Sequence, residues 1–98
     1  MENLRSKLNL ETAQMDWVTL APFFARGQLL RVAPRLSLLD AAVAVAEDNA
    51  AEVAKWQAAG EFGAVSDTQA LAWQQADARL WAVVVRPFVL VQERPSSQ

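Results

Sequence analysis

Ninety-eight residues and 10.8 kDa suffice for one globular domain and exclude two. A composition of 53% apolar against 20% charged residues is one that folds rather than one that stays disordered. The chain has no Cys, His or Tyr. That removes a disulfide framework, a thiolate nucleophile, the usual neutral-pH base and the commonest metal ligands, and with a formal charge of -2 and a pI near 5.0 there is little attraction for a phosphate backbone.

In chain order, Leu4, Leu8 and Met15 mark a loose helical stripe, which predicts a helix from about 3 to 14. Asp16 is placed to cap a second helix carrying Trp17, Leu20, Phe23 and Phe24 and ending at Gly27, a residue suited to a left-handed terminal turn. Pro22 would cost that helix an internal hydrogen bond, so a start near Thr19 is the competing reading. Residues 28–33 (QLLRVA), between Gly27 and Pro34, are short and rich in branched side chains and read as a strand.

Ser37-Leu38-Leu39-Asp40 has the form of a helix start, and Leu39, Ala42, Val43 and Ala46 then line one face. Asn49-Ala50-Ala51-Glu52 is a second such start, followed by Val53, Trp56 and the stop Gly60. The apolar stripe stays in phase across both, so the pattern admits one helix from 38 to 59 or two. Residues 61–65 form a short strand candidate. Ser66-Asp67-Thr68-Gln69 opens a further helix with Ala70, Leu71, Trp73 and Ala78 assigned inward.

The strongest strand signal is the run from Leu80 to Val91. Read as one strand, it puts Trp81, Val83, Val85, Val89 and Val91 on one face and Ala82, Val84, Phe88 and Leu90 on the other. Both faces are apolar, so it must be covered on both sides or lie in an interface. Trp81, Val83, Val85, Phe88 and Val89 are therefore the candidate interface residues. The expected fold is α+β: four or five helices packed on a short sheet with strands near 28–33, 61–65 and 80–92. One domain over 1–92 is expected, with 93–98 as a disordered polar tail.

No apolar run exceeds six residues, so no membrane-spanning helix is expected. No apolar stretch follows the first basic residues, so no secretory signal is expected and the cytoplasm is the default compartment. Charge is unevenly spread, with residues 28–35 at +2, the acidic middle from 36 to 78 at -6, and 79–98 at +2. Such segments could complement one another within a chain or between copies.

Three blocks are candidates for chemistry. Arg31, Arg35 and Arg86 lie on or beside the best strands and could converge on a carboxylate or phosphate if those strands pair; a surface ion pair to the acidic middle is the plainer alternative. Asp40, Glu47, Asp48 and Glu52 form the densest acidic cluster. On a continuous helix Asp48 and Glu52 sit one turn apart and could hold Mg2+, against the plainer roles of capping and solvated surface. Gly60-Glu61-Phe62-Gly63 has the GxxG spacing of an RNA-clamping loop, but Glu61 would repel phosphate and a helix stop explains it better. The Trp and Phe residues fall at core-like spacings, with Trp56 and Trp73 the most exposed expected. Ser37 and Ser66 are better explained as caps than as nucleophiles.

Leu8-Asn9-Leu10-Glu11-Thr12-Ala13, Trp17, Phe24-Ala25-Arg26-Gly27, Ala46-Glu47-Asp48, Trp56, Ser66-Asp67, Trp73 and, most specifically, the block from Leu80 to Gln92 together resemble a small bacterial family known as domain of unknown function 2288. The resemblance spans residues 4 to 92. It implies a short stand-alone protein and carries no catalytic or ligand residue across. From the residues themselves, a non-enzymatic protein-interaction or regulatory module is expected, without cofactor, nucleic acid or membrane, and self-associating as a homodimer. Binding of a small anionic metabolite through Arg31, Arg35 and Arg86 is the alternative.

Overall fold

A computed structural model describes residues 12–93. Five strands and four helices follow in the order β1 (Ala13–Asp16), α1 (Trp17–Ala25), β2 (Leu29–Val32), α2 (Leu38–Ala46), α3 (Ala50–Ala58), β3 (Phe62–Ala64), α4 (Asp67–Ala76), β4 (Arg79–Val85) and β5 (Phe88–Gln92). The strands make one mixed sheet in the order β1-β4-β5-β2-β3, in which only the β2–β5 pair is parallel. The α+β class is as expected, but α1 and α4 cover one face of the sheet while α2 and α3 cover the other.

The helices begin where side-chain oxygens satisfy their first free amides. Asp16 accepts from Thr19 N at 3.0 Å, Ser37 from Asp40 N at 3.1 Å, Asn49 from Glu52 N at 3.2 Å and Ser66 from Gln69 N at 3.1 Å. All four end in the same left-handed motif, in which one amide reaches back five residues: Gln28 N to Phe23 O, Asn49 N to Ala44 O, Glu61 N to Trp56 O and Ala78 N to Trp73 O. The left-handed residue is Gly27 or Gly60 in two of them, and Asp48 (φ 56°) or Asp77 (φ 51°) in the others. Asp48 is what divides the segment from 38 to 59 into two helices.

The run from Leu80 to Val91 is two strands, not one. Arg86 and Pro87, joined by a cis peptide, turn the chain so that Val85 faces Phe88 across an antiparallel hairpin. Cross-strand partners share a face, so the alternation shifts by one residue at the turn. Leu80, Ala82, Val89 and Val91 lie under α1 and α4, while Val83, Val85 and Leu90 lie under α2 and α3. Val89 and Val91 are thus on the opposite face from Val83 and Val85, contrary to the single-strand reading.

Two other boundaries differ from expectation. Ala13 and Gln14, assigned to the first helix, belong to edge strand β1, and the rest of that predicted helix up to residue 11 lies outside the described residues. Helix α1 starts at Trp17 with Pro22 inside it. The ring removes one amide, but Pro22 O still accepts from Arg26 N at 3.2 Å, and burial of Trp17 and Leu20 anchors the helix against the sheet. The expected tail begins at Glu93, whose carboxylate accepts from Trp73 Nε1 at 3.2 Å; residues 94–98 lie outside the described residues.

Candidate interaction surface

The sheet positions the candidate residues from its centre outward. Val83 and Val89 are fully buried and Val85 nearly so, while Trp81 and Phe88 are half-buried. The chain's own helices thus cover both faces of the β4–β5 hairpin over most of its length. Val84, at 37% exposure, is the one large hydrophobic of this hairpin left open.

The three arginines do not converge. Arg31 pairs with Val91 in the middle of the parallel β2–β5 ladder, whereas Arg86 occupies the turn before β5. In that register Arg86 lies about five residues, or roughly 16 Å, along the strands from Arg31, at the end away from Arg35. Arg35 Nε instead contacts Glu61 Oε2 at 2.8 Å, the ion pair to the acidic middle. Arg31 is more unusual, since its Nε is buried without a hydrogen-bond partner among the described residues.

Asp48 and Glu52 are likewise separated by the helix break that Asp48 itself makes, so the one-turn spacing of a continuous helix does not arise. Glu52 has Lys55 Nζ at 3.9 Å. Among the described residues, no three carboxylates come together as a metal site would require. Nor is any of these helices long and apolar enough to cross a membrane.

The surface that stands out was not singled out by the strand pattern. Helix α1 (WVTLAPFFA) has no charged residue and one hydroxyl, yet only Trp17 and Leu20 are buried. Val18 is 76% exposed, and Pro22 and Ala25, which follow it at i+4 and i+7, are exposed as well. A helix apolar all round is normally covered all round. Beside it, Leu71 of α4 is 53% exposed rather than inward, because Ala70 and Trp73 take the core-facing positions of that helix. Between the two helices runs a shallow groove of about 360 Å³ lined by Trp17, Ala21, Phe24, Ala70 and Leu71, with Asp67 and Gln74 at its rim.

The rings of Trp17, Phe24 and Trp73 support this groove from below, with tilted contacts of 5.8 and 6.1 Å between centroids. Charges stand only at the two ends of α1. Asp16 accepts from the Thr19 hydroxyl at 2.7 Å, and Arg26 lies over the Phe23 ring at 5.9 Å. The Thr19 hydroxyl and amide hold the Asp16 carboxyl below its usual 3.8, helped by the charge of Arg79.

A second depression, of about 610 Å³, lies on the opposite face beneath α3, where Leu30, Phe62 and Phe88 make the floor and Val53, Ala54 and Gln57 the wall. Helix α3 buries none of its residues fully.

Fold and site together define a small α+β domain with helices on both sheet faces, no assembled catalytic constellation among its described residues, and an apolar outer helix. The chain belongs to the family described as protein of unknown function (DUF2288), whose model matches residues 3–93. It is similar, at 43% identity and a TM-score of 0.85, to PA1075 from Pseudomonas aeruginosa, known from a solution structure by NMR; the match covers 98% of this chain and 89% of that one. No curated protein matches it.

Proposed function

We propose that this protein is a non-enzymatic protein-interaction module that acts by self-association. The observation that supports the reading is α1, a helix without charge whose outward stripe Val18, Pro22 and Ala25 is exposed and whose next residues round, Trp17, Ala21 and Phe24, share a groove with the exposed Leu71 of α4. Exposed apolar surface that continues over two elements is a cost in water unless something covers it. Chemistry is the weaker reading because the chain lacks His, Cys and Tyr. Native mass spectrometry of the untagged protein, purified gently from its own cells, tests the proposal. A mass at twice 10.8 kDa or a higher multiple is the expected result. A monomer carrying a few hundred extra daltons would overturn it in favour of ligand binding.

One observation favours that second reading, capture of a small anion: the unpartnered buried Nε of Arg31, since buried donors are nearly always paired. It rests on Arg31 alone, because Arg35 and Arg86 lie elsewhere. If it holds, phosphorylated or carboxylated metabolites raise the melting temperature and Arg31→Gln abolishes the rise. A shift that persists in the variant would count against it.

A further inference from the structure

The geometry points to a specific partner and pose for the apolar face, and this inference rests on the self-association reading above. We infer that α1 packs antiparallel against α1 of a second copy, about a two-fold axis passing beside Ala21 and Pro22, with Asp16 of each copy facing Arg26 of the other. A two-fold contact uses the same patch twice, so each patch must be complementary to itself when reversed. Helix α1 meets that condition in three ways.

First, its exposed stripe is symmetric about its middle. Val18, Pro22 and Ala25 follow helical spacing, and reversal about the Ala21–Pro22 midpoint brings Val18 against the partner's Ala25. Ala21 and Ala25 are small enough for two helix backbones to approach closely. Second, the end charges are opposite and nearly equidistant from the axis. Asp16 and Arg26 are about 15 Å apart along the helix, and reversal about the same midpoint brings acid to within roughly one residue, about 1.5 Å of helical rise, of the level of the base at both ends.

Third, both charges lie on one flank of the helix. The Asp16 carboxylate rests against Thr19 and the Arg26 guanidinium over Phe23, and Thr19 and Phe23 are one turn apart on the same side. An axis perpendicular to the paired helices keeps each flank on its own side, so the opposite charges meet rather than face away. A parallel arrangement would set Asp16 level with Asp16 and Arg26 level with Arg26, on opposite flanks, so that no acid meets a base. A foreign partner would need none of these symmetries, which is why a second copy is the occupant.

Sedimentation equilibrium over a wide concentration range, combined with cysteine cross-linking in a chain that has no native Cys, tests the pose. The wild-type protein is expected to dimerise, and Val18→Asp and Arg26→Glu each to weaken the dimer at least tenfold with the circular dichroism spectrum unchanged. Pro22→Cys, beside the axis, should form a disulfide-linked dimer under mild oxidation, whereas Gln57→Cys on exposed α3 should not. A dimer that Val18→Asp and Arg26→Glu leave intact, or that cross-links through residue 57 and not 22, overturns the pose while leaving self-association standing. A wild-type chain that stays monomeric at every concentration overturns both, even if it captures some other protein.

Discussion

The two helical layers solve the same problem with different materials. On one face, α1 and α4 are pinned by large aromatics: Trp17 and Trp73 are buried, and the Trp17 ring makes tilted contacts with both Phe24 and Trp73. On the other, α2 sits close to the sheet through Ala41, Ala42 and Ala44, while α3 contributes only partly buried Val53 and Trp56 and bridges an open groove. The first layer therefore spends its apolar excess on the outside, at Val18 and Leu71, and the second leaves its apolar gap on the inside. Total hydrophobicity of a helix does not determine its depth, since α1 and α3 have equal length and opposite exposure problems.

The largest effect that would break this contrast is loss of an aromatic anchor. Trp73→Ala should cost about 3–5 kcal/mol in urea unfolding, as removal of a buried Trp does, while Trp56→Ala in α3 should cost well under that. Equal losses would show that α3 is held as firmly as α4. Amide exchange sharpens the same point: α3 should exchange through low-energy local opening and α4 close to the global limit.

Helix ends provide the next test. Gly60→Ala forces a side chain into φ 75° and should destabilise by about 1–2 kcal/mol, whereas Asp48→Gly relieves φ 56° between α2 and α3 and should gain up to about 1 kcal/mol. Acid titration probes the other layer through Asp16. Its folded pKa lies below the ordinary 3.8, so its contribution is fully present above 3.8 and disappears as pH falls through the lower folded value. Asp16→Asn keeps a capping oxygen and should remove that part of the acid sensitivity, read from melting temperatures on either side of the transition. Smallest of all, Arg35→Ala breaks an ion pair whose arginine is 77% exposed and should cost less than about 1 kcal/mol, an effect that added salt reduces.

Local signals were readable wherever one residue type satisfies one backbone need. Asp16, Ser37, Asn49 and Ser66 all cap the helices they announce, and Gly27 and Gly60 close theirs with the expected left-handed turn. Asp48 and Asp77 do the same work without the glycine signature, so the sequence admits one helix or two across 38–59 and the left-handed backbone at Asp48 makes the break. The hairpin in the last block is hidden for a related reason. Pro87 cannot donate to a ladder and so points to an edge or a bulge, but the apolar alternation resumes in phase after it, and that alternation does not show a reversal in which the faces exchange.

The candidate site was legible only in part. The apolar stretch of α1 and its end charges are plain in residues 16–26, but amphipathic reasoning assigns Trp17, Leu20, Phe23 and Phe24 to the core and gives no account of Val18. Leu71 is as apolar as its neighbours and is expected inward with Ala70, Trp73 and Ala78, yet a helix turns by about 100° per residue, and with Ala70 and Trp73 both toward the sheet Leu71 falls outside the buried arc. The α+β class, the helix caps and the lack of a His base follow from composition and near neighbours, and are legible in the residues alone. That β4 and β5 are covered from within, that Arg31 and Arg86 stand apart, and that α1 keeps an apolar stripe in water depend instead on the packed arrangement. Strand order and helix placement bring residues together across tens of positions, and no local spacing encodes that choice.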